Sequence, residues 1–359
     1  MSESHRKTGK ALLVLAVVLI VIFLLLLPPT QDLFRKYLLD PFSPHYPEEV
    51  EMELRRTMIL DANGGHITQY RFDLPRPTSI SDNGTYTQQV TSLNISPQYD
   101  ELWDNGTYHT MVWEGDDLYG QINIVVTQSV RQTLQKWDLD EGTVLDKEDI
   151  PQDLQDRYLH EEWQIIYNDP IISQLSHQIV GDETNVYVIA RSIYDWMVEN
   201  VEYPNQIISG EPKSSLQTNE DRRGDCDDQS ILFCALARSA GVPAWLQLGA
   251  LYDRSTGEMG GHGWVQMFMP TEDGGVNVTI DIVNKDFLVW MPNLFCEFTD
   301  NGEPDGLRDY YHLISVFYDP STYGPDEMPE FTESWEVLSY QESDEKVTLS
   351  VEIMAKVEI

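Results

Sequence analysis

The sequence predicts an α+β protein in which a β-rich region precedes a domain of mixed helices and strands. Short segments of alternating apolar and polar residues, separated by turn residues, run from about residue 48 to 132. Further along, a helical pattern starts at Cys226, and two strand patterns follow it. An uninterrupted apolar run precedes all of these elements. Together they divide the chain into an anchor, a β domain, a connector and a mixed domain.

The apolar run from Ala11 to Leu27 predicts a transmembrane helix. At about 1.5 Å per residue it spans roughly 25 Å, which is just enough for a thin bilayer. Basic residues before the run predict that residues 1–10 stay in the cytoplasm and that the following domains lie outside it. These residues are Arg6, Lys7 and Lys10. A cleaved signal peptide is the alternative, but a small-x-small cleavage site is missing. We therefore expect a single-pass anchor in the cell membrane, followed by a proline-containing linker over residues 28–47.

The region from residue 48 to 132 is predicted to be a β-sandwich. Four segments alternate apolar and polar side chains with period two, as strands with one buried face do. They are Glu51–Leu60, Thr85–Ile95, Thr107–Trp113 and Gly120–Val130. Asn-Gly steps between the segments indicate tight turns. We expect residues 133–183 to be a connector with short helices and residues 321–359 to be a C-terminal β extension.

A helix is predicted from Cys226 to Ala240. Its apolar residues recur at helical spacing, and neither glycine nor proline interrupts them before Gly241 ends the helix. Asp227 and Asp228 lie in the first turn, where carboxylates interact favourably with the helix dipole. The helix start favours the thiolate form of Cys226, whereas the neighbouring aspartates disfavour it. The sequence leaves open which of these effects is larger.

Two strands are predicted after the helix, over His262–Met269 and Val276–Val283. Period two places Asp281 on the polar face of its strand, with the apolar residues on the other face. Thiol, imidazole and carboxylate then follow one another in the chain. These are the parts of a cysteine nucleophile, its base and the group that orients the base.

The register of this predicted hairpin decides whether the imidazole and the carboxylate can meet. A tight turn at Asp273-Gly274 would set Asp281 opposite Gln266 rather than opposite His262. We therefore expect either a turn nearer Thr271-Glu272 or a β-bulge that shifts the register.

Four separated motifs surround these residues, and they are Ile193–Tyr203, Gly224–Cys226, Arg238–Ala244 and Gly261–Val265. In this order they resemble the transglutaminase-like superfamily, in particular its membrane-anchored microbial members. The core of that superfamily is a permuted relative of papain-like cysteine proteases. The resemblance covers about Val186 to Val283 and implies this core for residues 184–320. Two positions depart from the family pattern. Ile282 follows Asp281 where proline is frequent, and Gln266 stands where an acid is common.

The resemblance implies an enzyme with Cys226 as nucleophile, His262 as general base and Asp281 as the group that orients the imidazole. It implies attack on peptide or glutamine amide bonds through a thioester, with hydrolysis favoured over transfer to an amine. We expect the oxyanion to bind the backbone N–H of Cys226 and one upstream side chain, either Trp196 or Gln217.

Two alternatives stay open. Asp286, expected in a solvated loop beyond the second strand, competes with Asp281 for the orienting role. The second functional class is a non-catalytic cell-surface module that binds partners through the same cleft.

Composition and motif content exclude several other classes of function. The 60 acidic and 23 basic residues give a net charge of −37, which argues against nucleic-acid binding because phosphates would be repelled. Cys234 and Cys296 are expected to be structural, and the cysteines are not spaced for zinc or redox chemistry. The sequence has no phosphate-binding loop, dinucleotide-binding pattern or His-Glu-x-x-His, and its aspartate-rich loops do not fit a calcium loop. We expect no cofactor and no metal, and as partners a protein or peptide substrate and the membrane.

Overall fold

The computed structural model describes residues 45–82, 84–204 and 210–349. The predicted anchor and nearly all of its linker lie outside these residues, as does the last part of the predicted C-terminal strand. No helix within the described ranges is both long and apolar enough to cross a membrane.

The described residues form short helices and many antiparallel strands. The strands, in chain order, are β1 His45–Pro47, β2 Glu49–Asp61, β3 Ile67–Pro75, β4 Ile80–Asp82, β5 Thr85–Ser96, β6 Glu101–Asp104, β7 His109–Leu118, β8 Gln121–Thr133, β9 Gln135–Lys136, β10 Ala244–Asp253, β11 Glu258–Met269, β12 Val276–Asp281, β13 Asp286–Phe287, β14 Val289–Trp290, β15 Leu294–Thr299, β16 Ile314–Tyr318, β17 Glu330–Glu342 and β18 Lys346–Thr348. The α-helices are α1 Gln152–Tyr158, α2 Pro170–Val180, α3 Val186–Asn200, α4 Ser215–Asp221, α5 Cys226–Ser239 and α6 Gly306–Tyr311. Two 3₁₀ turns lie at Lys147–Asp149 and Pro320–Thr322.

The chain divides into two units. Glu49–Glu342 is one of them, and the segments that flank it in the chain form the other. In the second unit β1 pairs antiparallel with β18, with His45 opposite Thr348. The candidate functional residues all belong to the first unit.

The N-terminal part of the large unit is a β-sandwich, as the alternating pattern predicts. One sheet has the strand order β17-β2-β8-β5-β4 and the other has the order β16-β3-β7-β6. Inward-facing residues of both sheets pack into one apolar core, because every second residue of each strand points to the same side. These residues include Met58, Leu60, Ile124 and Val126 from the first sheet and Phe72, Leu74, Met111 and Trp113 from the second.

Two strands of this sandwich come from far along the chain. Ile314–Tyr318 pairs with β3, and Glu330–Glu342 pairs with β2 along nearly its whole length. The sandwich therefore includes strands that lie outside residues 48–132. Local periodicity identifies a strand but not its partner, so a pairing across this sequence distance is not visible in the pattern.

The mixed domain packs helices on one face of a sheet with the order β13-β12-β11-β10-β15. Helix α5 contacts α2, α3, α4, β10 and β11, so it is surrounded by protein. Its residues Ile231 to Ala237 are fully buried. They pack against Val265 and Met267 of β11 in the domain's core. The predicted amphipathic helix is therefore the central element of this domain.

A buried ionic cluster fixes the C-terminal end of α5. The Arg238 guanidinium bonds Glu162, donates to the Ala244 carbonyl at 2.8 Å and lies 3.7 Å from Asp300. All three charged side chains are fully buried. Burial, and then the charge of Glu162, raise the pKa of Asp300 well above its ordinary value. This cluster ties the C-terminal end of the helix to the start of β10.

Candidate active site

Cys226 is the first residue of α5, at the position that the sequence predicts. The Asp225 side chain caps the helix by accepting the Asp228 backbone N–H at 3.3 Å, and the Asp228 carboxylate accepts the Asp225 N–H at 3.3 Å. This reciprocal pair is a capping box. Gly224 lies directly before it, and a Cβ there would come within 2.5 Å of the Asp228 Cβ. The Gly-Asp-Cys-Asp-Asp sequence thus builds a tight helix start that presents the cysteine.

The Cys226 thiol lies beside a buried carboxylate. Its Sγ is 3.5 Å from Asp227 Oδ1, toward which the thiol donates. Burial raises the pKa of the thiol, the charge of Asp227 raises it further, and a bond from the Gly263 backbone N–H lowers it. The net shift is strongly upward, so burial and Asp227 outweigh the Gly263 hydrogen bond. The resting thiol is protonated at neutral pH and requires a base to become a nucleophile.

Asp227 accepts a second hydrogen bond, and a glycine leaves space for its carboxylate. The Tyr311 hydroxyl donates to Asp227 Oδ2. Burial raises the pKa of Asp227, and this hydrogen bond opposes the shift. Gly263 leaves the room that the carboxylate needs, because a Cβ at this position would lie 2.4 Å from Asp227 Oδ1. Gly263, the second glycine of the Gly-His-Gly-Trp segment, is therefore required where the helix start meets β11.

His262 and Asp281 form a buried pair. His262 Nε2 is 2.7 Å from Asp281 Oδ2, and the two residues are only 8% and 2% exposed. Burial alone would lower the pKa of His262, but the charge and hydrogen bond of Asp281 raise it above 6.5. Burial would conversely raise the pKa of Asp281, and the imidazole and Asn284 bring it below 3.8. Each partner therefore favours the charged form of the other.

The register of β11 and β12 explains how these two residues meet. Val265 lies opposite Ile280 and Met269 opposite Val276, with a continuous register between the two pairs. Asp281 is therefore a diagonal neighbour of His262, within reach of a side-chain bond. The expected alternatives were a turn nearer Thr271-Glu272 or a bulge. The connection is centred between residues 272 and 273, which displaces the turn from Asp273-Gly274 toward Thr271-Glu272, and this pairing contains no bulge.

The glycines of this connection serve the turn itself. Gly275 has φ +89°, and a Cβ there would lie 2.3 Å from the Phe268 ring. Only glycine combines this backbone conformation with such close packing. The glycine pair therefore allows the turn rather than a bulge.

Asn284 is a site residue that the sequence analysis did not identify. Its Nδ2 donates to Asp281 Oδ2 at 2.8 Å and lies 3.2 Å from His262 Nε2. Its backbone N–H donates to Asp281 Oδ1 at 3.1 Å. Asn284 lies in the turn that follows β12, beyond the alternating pattern, so period-two alternation did not indicate this clamp.

Asp286 does not lie in a solvated loop as expected. It belongs to β13 and pairs with Asp281 across the short ladder. Burial, and then the charge of Asp281, raise the pKa of Asp286 to about 7. The hydrogen bond to the His262 ring comes from Asp281. Asp286 is therefore a neighbour of Asp281 and not the residue that bonds the imidazole.

The two expected oxyanion side chains have other partners. The Gln217 amide donates to Asp221 within α4 at 2.8 Å. The Arg222 guanidinium covers the Trp196 ring, with Cζ 4.6 Å from the ring centroid. Neither contact brings the side chain to the thiol.

Tyr203 lies beside the helix start instead. A parallel bridge pairs Glu202 with Arg223, and the Gly224 N–H donates to the Glu202 carbonyl at 3.1 Å. Because of this bridge, Tyr203 lies alongside the residues that lead to Cys226. Burial, and then the charge at Cys226, raise the pKa of Tyr203 to about 12. The side chain is 43% exposed, so the phenol lies at an open surface.

The other cysteines are remote from this chemistry. Cys234 lies inside α5 with no exposed surface, and Cys296 on β15 is 2% exposed. Burial raises the pKa of both thiols. In the part of the chain that the structure describes, no group of His, Cys, Asp and Glu is arranged to hold a metal ion.

Comparison with known families agrees with this arrangement. Residues 173–281 match the family model of the transglutaminase-like superfamily. The chain contains a transglutaminase-like domain. The match begins in α2 and ends at Asp281, so it includes Cys226, His262 and Asp281.

Comparisons with individual proteins cover more of the chain than this domain does. An uncharacterized protein of Haemophilus influenzae is 28% identical over 219 residues, which are 56% of this chain and 56% of that protein. The chain thus matches about half the length of this relative. The crystal structure of a proposed cysteine protease from Cytophaga hutchinsonii has a TM-score of 0.58 at 17% identity, over 85% of this chain and 95% of that one. This likeness shows a shared fold. The periplasmic domain of TgpA from Pseudomonas aeruginosa has a TM-score of 0.34 at 10% identity, over 67% of this chain and 88% of that one.

Proposed function

We propose that this protein is a cysteine hydrolase that cleaves peptide or glutamine amide bonds outside the cytoplasm while anchored in the cell membrane. The observation that carries the proposal is the buried contact of 2.7 Å between His262 and Asp281, on the strands next to the helix that begins at Cys226. The transglutaminase-like domain supports the coarser assignment, a cysteine peptidase-type enzyme.

The proposed reaction starts with proton transfer from the thiol to His262. Because Nε2 is occupied by Asp281, Nδ1 is the ring nitrogen that accepts this proton. The Cys226 sulfur then attacks the substrate carbonyl carbon. His262 returns the proton to the departing amine, and a thioester with Cys226 remains. Water attacks the thioester, His262 accepts a proton from it, and the carboxylic acid and the free thiol are released.

Three groups around the thiol are given supporting roles. Asp281 accepts the Nε2–H of His262, and Asn284 fixes the Asp281 carboxylate, so that the second ring nitrogen faces away from them. Asp227 disfavours the thiolate, so the sulfur becomes charged only when His262 accepts its proton. Tyr203 and the backbone N–H of Cys226 are the proposed donors to the oxyanion, since the Glu202–Arg223 bridge places Tyr203 alongside the residues that lead to Cys226.

The cellular location belongs to this proposal too. It rests on the apolar run from Ala11 to Leu27 and the basic residues before it. Protease added to intact cells should digest the domains after the anchor and leave a membrane-bound stub that retains Ser2. A mature N-terminus near Pro28 would contradict the anchor.

The proposed activity is tested with glutamine-containing peptides, incubated with and without a primary amine. Hydrolysis predicts release of ammonia or a new carboxyl terminus in both conditions, and transfer predicts an amine adduct. Cys226→Ala should abolish either product, whereas the matched Cys234→Ala variant should retain it. Turnover that survives Cys226→Ala would exclude the proposal.

The raised pKa of the thiol favours a second candidate, a non-catalytic binding module on the same fold. The two functions differ in the chemistry of the thiol. In the enzyme, substrate peptides should acylate Cys226. In the binding module, peptides should bind reversibly and leave the mass of the protein unchanged.

A further inference from the structure

Asp227 connects the Cys226 thiol to a tyrosine of helix α6. The thiol donates toward Asp227 Oδ1, with Sγ 3.5 Å away, and the Tyr311 hydroxyl donates to Oδ2. Each carboxylate oxygen therefore has a donor of its own. Tyr311 lies 84 residues after Asp227 in the chain, so tertiary packing brings the two together. The mechanism proposed above uses the thiol and the carboxylate but gives this tyrosine no role.

Packing holds the ring of Tyr311 in place. The ring centroid of Trp163 lies 5.6 Å from that of Tyr311, and the Tyr310 ring packs edge-on at 5.5 Å. Leu307, one turn earlier in α6, is fully buried in the core of the mixed domain. The hydroxyl is therefore presented to Asp227 from a restrained ring on an anchored helix.

The titratable groups that face Asp227 come from several elements. They are Asp225 and Cys226 at the start of α5, His262 on β11, Tyr310 and Tyr311 on α6, and Tyr203 beside the helix start. Of these groups only the imidazole can become a cation. Burial raises the pKa of Asp227, whereas the hydrogen bond from Tyr311 and the charge of His262 lower it. Tyr311 is thus the neutral donor that helps to keep this carboxylate ionised beside the thiol.

A charged Asp227 has opposite effects on the thiol and on the imidazole. It lies beside the sulfur, so it disfavours a thiolate. After Asp281, its charge also raises the pKa of His262 against the effect of burial. A thiolate therefore forms readily only when a cation forms on His262 at the same time. In this way the carboxylate couples loss of the thiol proton to its arrival on the imidazole.

We propose that Tyr311 is a positioning residue that keeps Asp227 ionised and directed at Cys226, so that the thiol stays protonated until His262 accepts its proton. This role rests on the proposed function, in which His262 is the acceptor. Tyr311 acts on the sulfur through the carboxylate. Because the thiolate is also the form that oxidants and alkylating agents attack, the same hydrogen bond protects the resting nucleophile.

The test measures how fast Cys226 of the full-length protein in detergent reacts with 2,2′-dithiodipyridine. The thiolate is the form that attacks this disulfide, so the rate at each pH reports the thiolate fraction. Peptide mass spectrometry locates the adduct and separates Cys226 from the buried Cys234 and Cys296. Rates are measured from about pH 5 to about pH 9, a range that brackets neutral pH and the ordinary pKa of a thiol. No turnover is required.

Asp227→Asn removes the charge and keeps the shape of the side chain. Cys226 should then react at least about tenfold faster than in the wild type, because a neighbouring like charge shifts a pKa by about one unit or more. This gain should persist at the alkaline end of the range, because asparagine carries no charge at any pH.

Tyr311→Phe keeps the ring and removes the hydroxyl. Without this donor the buried carboxyl of Asp227 takes up a proton more readily, so Cys226 should react about tenfold faster than in the wild type at the acidic end of the range. As the pH rises, Asp227 regains its charge and the ratio of the two rates should fall toward one. A displaced thiol would instead change the rate by a factor that does not depend on pH.

Tyr310→Phe is the matched control. This neighbouring hydroxyl donates to Glu297 Oε1 at 2.9 Å rather than to Asp227. The reactivity of Cys226 should therefore equal that of the wild type at every pH. Melting temperatures of the three variants establish that each is folded.

Three results would overturn the proposal. The first is that Asp227→Asn reacts no faster than the wild type. The second is that Tyr311→Phe reacts as the wild type does, or differs from it by the same factor at every pH. The third is that Tyr310→Phe reproduces the profile of Tyr311→Phe. Failure of the proposed enzyme would look different, because substrate peptides would leave Cys226 unacylated while these reactivities remained as predicted.

Discussion

Two clusters of buried charged side chains lie in the mixed domain, one at each end of helix α5, and they differ in what they leave free. At the C-terminal end, Arg238, Glu162 and Asp300 contact one another and have no exposed surface. At the N-terminal end, Asp281 occupies only one nitrogen of His262, and the partly exposed Cys226 lies on the neighbouring helix. The first cluster is closed to solvent, whereas the second leaves one nitrogen of His262 free of Asp281.

The comparison shows why perturbed pKa values alone do not identify an active site. Burial raises the pKa of Asp300 in the closed cluster and of the Cys226 thiol in the open one. Structural ion clusters and catalytic sites both produce such shifts. Accessibility distinguishes a catalytic site from a structural ion cluster, because a substrate must be able to reach the reacting group. Substitutions in the two clusters should therefore have opposite effects on turnover and on stability.

The largest expected effect on turnover comes from Cys226→Ala. This change removes the proposed nucleophile and should reduce peptide cleavage to the background rate, because no other described thiol is near His262. The melting temperature should stay close to that of the wild type. Cys234→Ala is the control within the same helix. It should cost about 1 kcal/mol of stability and keep its turnover. Faster alkylation of Cys234 than of Cys226 would contradict the assignment.

Asp281→Asn should lower turnover by about 10³- to 10⁴-fold with the fold retained. An amide that donates to His262 Nε2 would force the ring proton onto Nδ1, which could then no longer accept the thiol proton; a comparable change in a serine protease costs about 10⁴-fold. The matched control is Asp286→Asn, which should be nearly silent in the same assay. A large loss with Asp286→Asn and a small one with Asp281→Asn would transfer the orienting role to Asp286.

Arg238→Met should have the reverse signature. It leaves two buried carboxyl groups without their cation, and breaking a buried ion pair costs about 3–5 kcal/mol. Urea denaturation should show this loss of unfolding free energy. The fraction that remains folded should cleave substrate at the wild-type rate. A variant with normal stability and reduced turnover would show that the closed cluster takes part in catalysis.

Tyr203→Phe should reduce kcat by about 10²-fold, the effect of removing one oxyanion donor. KM should change little, since the phenol acts on the transition state. The rate at which iodoacetamide alkylates Cys226 should be unchanged, which separates loss of this donor from displacement of the thiol. Trp196→Phe is the control, because the Trp196 ring lies under Arg222. A larger loss in Trp196→Phe would instead identify Trp196, one of the two side chains expected from the sequence, as the oxyanion donor.

The smallest expected effect on turnover belongs to Asp286, whose carboxyl should instead give the stability a pH dependence. Its pKa of about 7 in the folded protein exceeds the ordinary 3.8. A carboxyl shifted in this direction favours folding at low pH, and that contribution is lost as the pH rises through the folded pKa. The stability of the wild type relative to Asp286→Asn should therefore fall between about pH 4 and about pH 7. Melting temperatures of both proteins across this range test it, and a pH-independent difference would contradict it.

Local sequence signals predicted the elements that carry the site. Caps, helical spacing and period-two alternation gave the start of α5 at Cys226 and the two strands that carry His262 and Asp281. The structure describes these elements nearly as predicted. These signals sufficed because each depends on neighbouring residues alone.

The remaining features depend on residues far apart in the chain. The contact between Asp227 and Tyr311, the approach of Tyr203 to the helix start and the pairing of β17 with β2 follow from tertiary packing. The position of Asp286 shows the same limit. Its short ladder with Asp281 withdraws it from the solvent that the sequence pattern suggested.

The most direct test of the central claim is to trap the acyl-enzyme. The full-length protein is mixed with an activated ester such as N-acetylalanine p-nitrophenyl ester, quenched in acid and analysed by peptide mass spectrometry. The account predicts one acyl group on Cys226, released by hydroxylamine, formed much more slowly in His262→Ala and absent in Cys226→Ala. Equal labelling of the wild type and His262→Ala, or an acyl group on Cys234 or Cys296 instead, would contradict it.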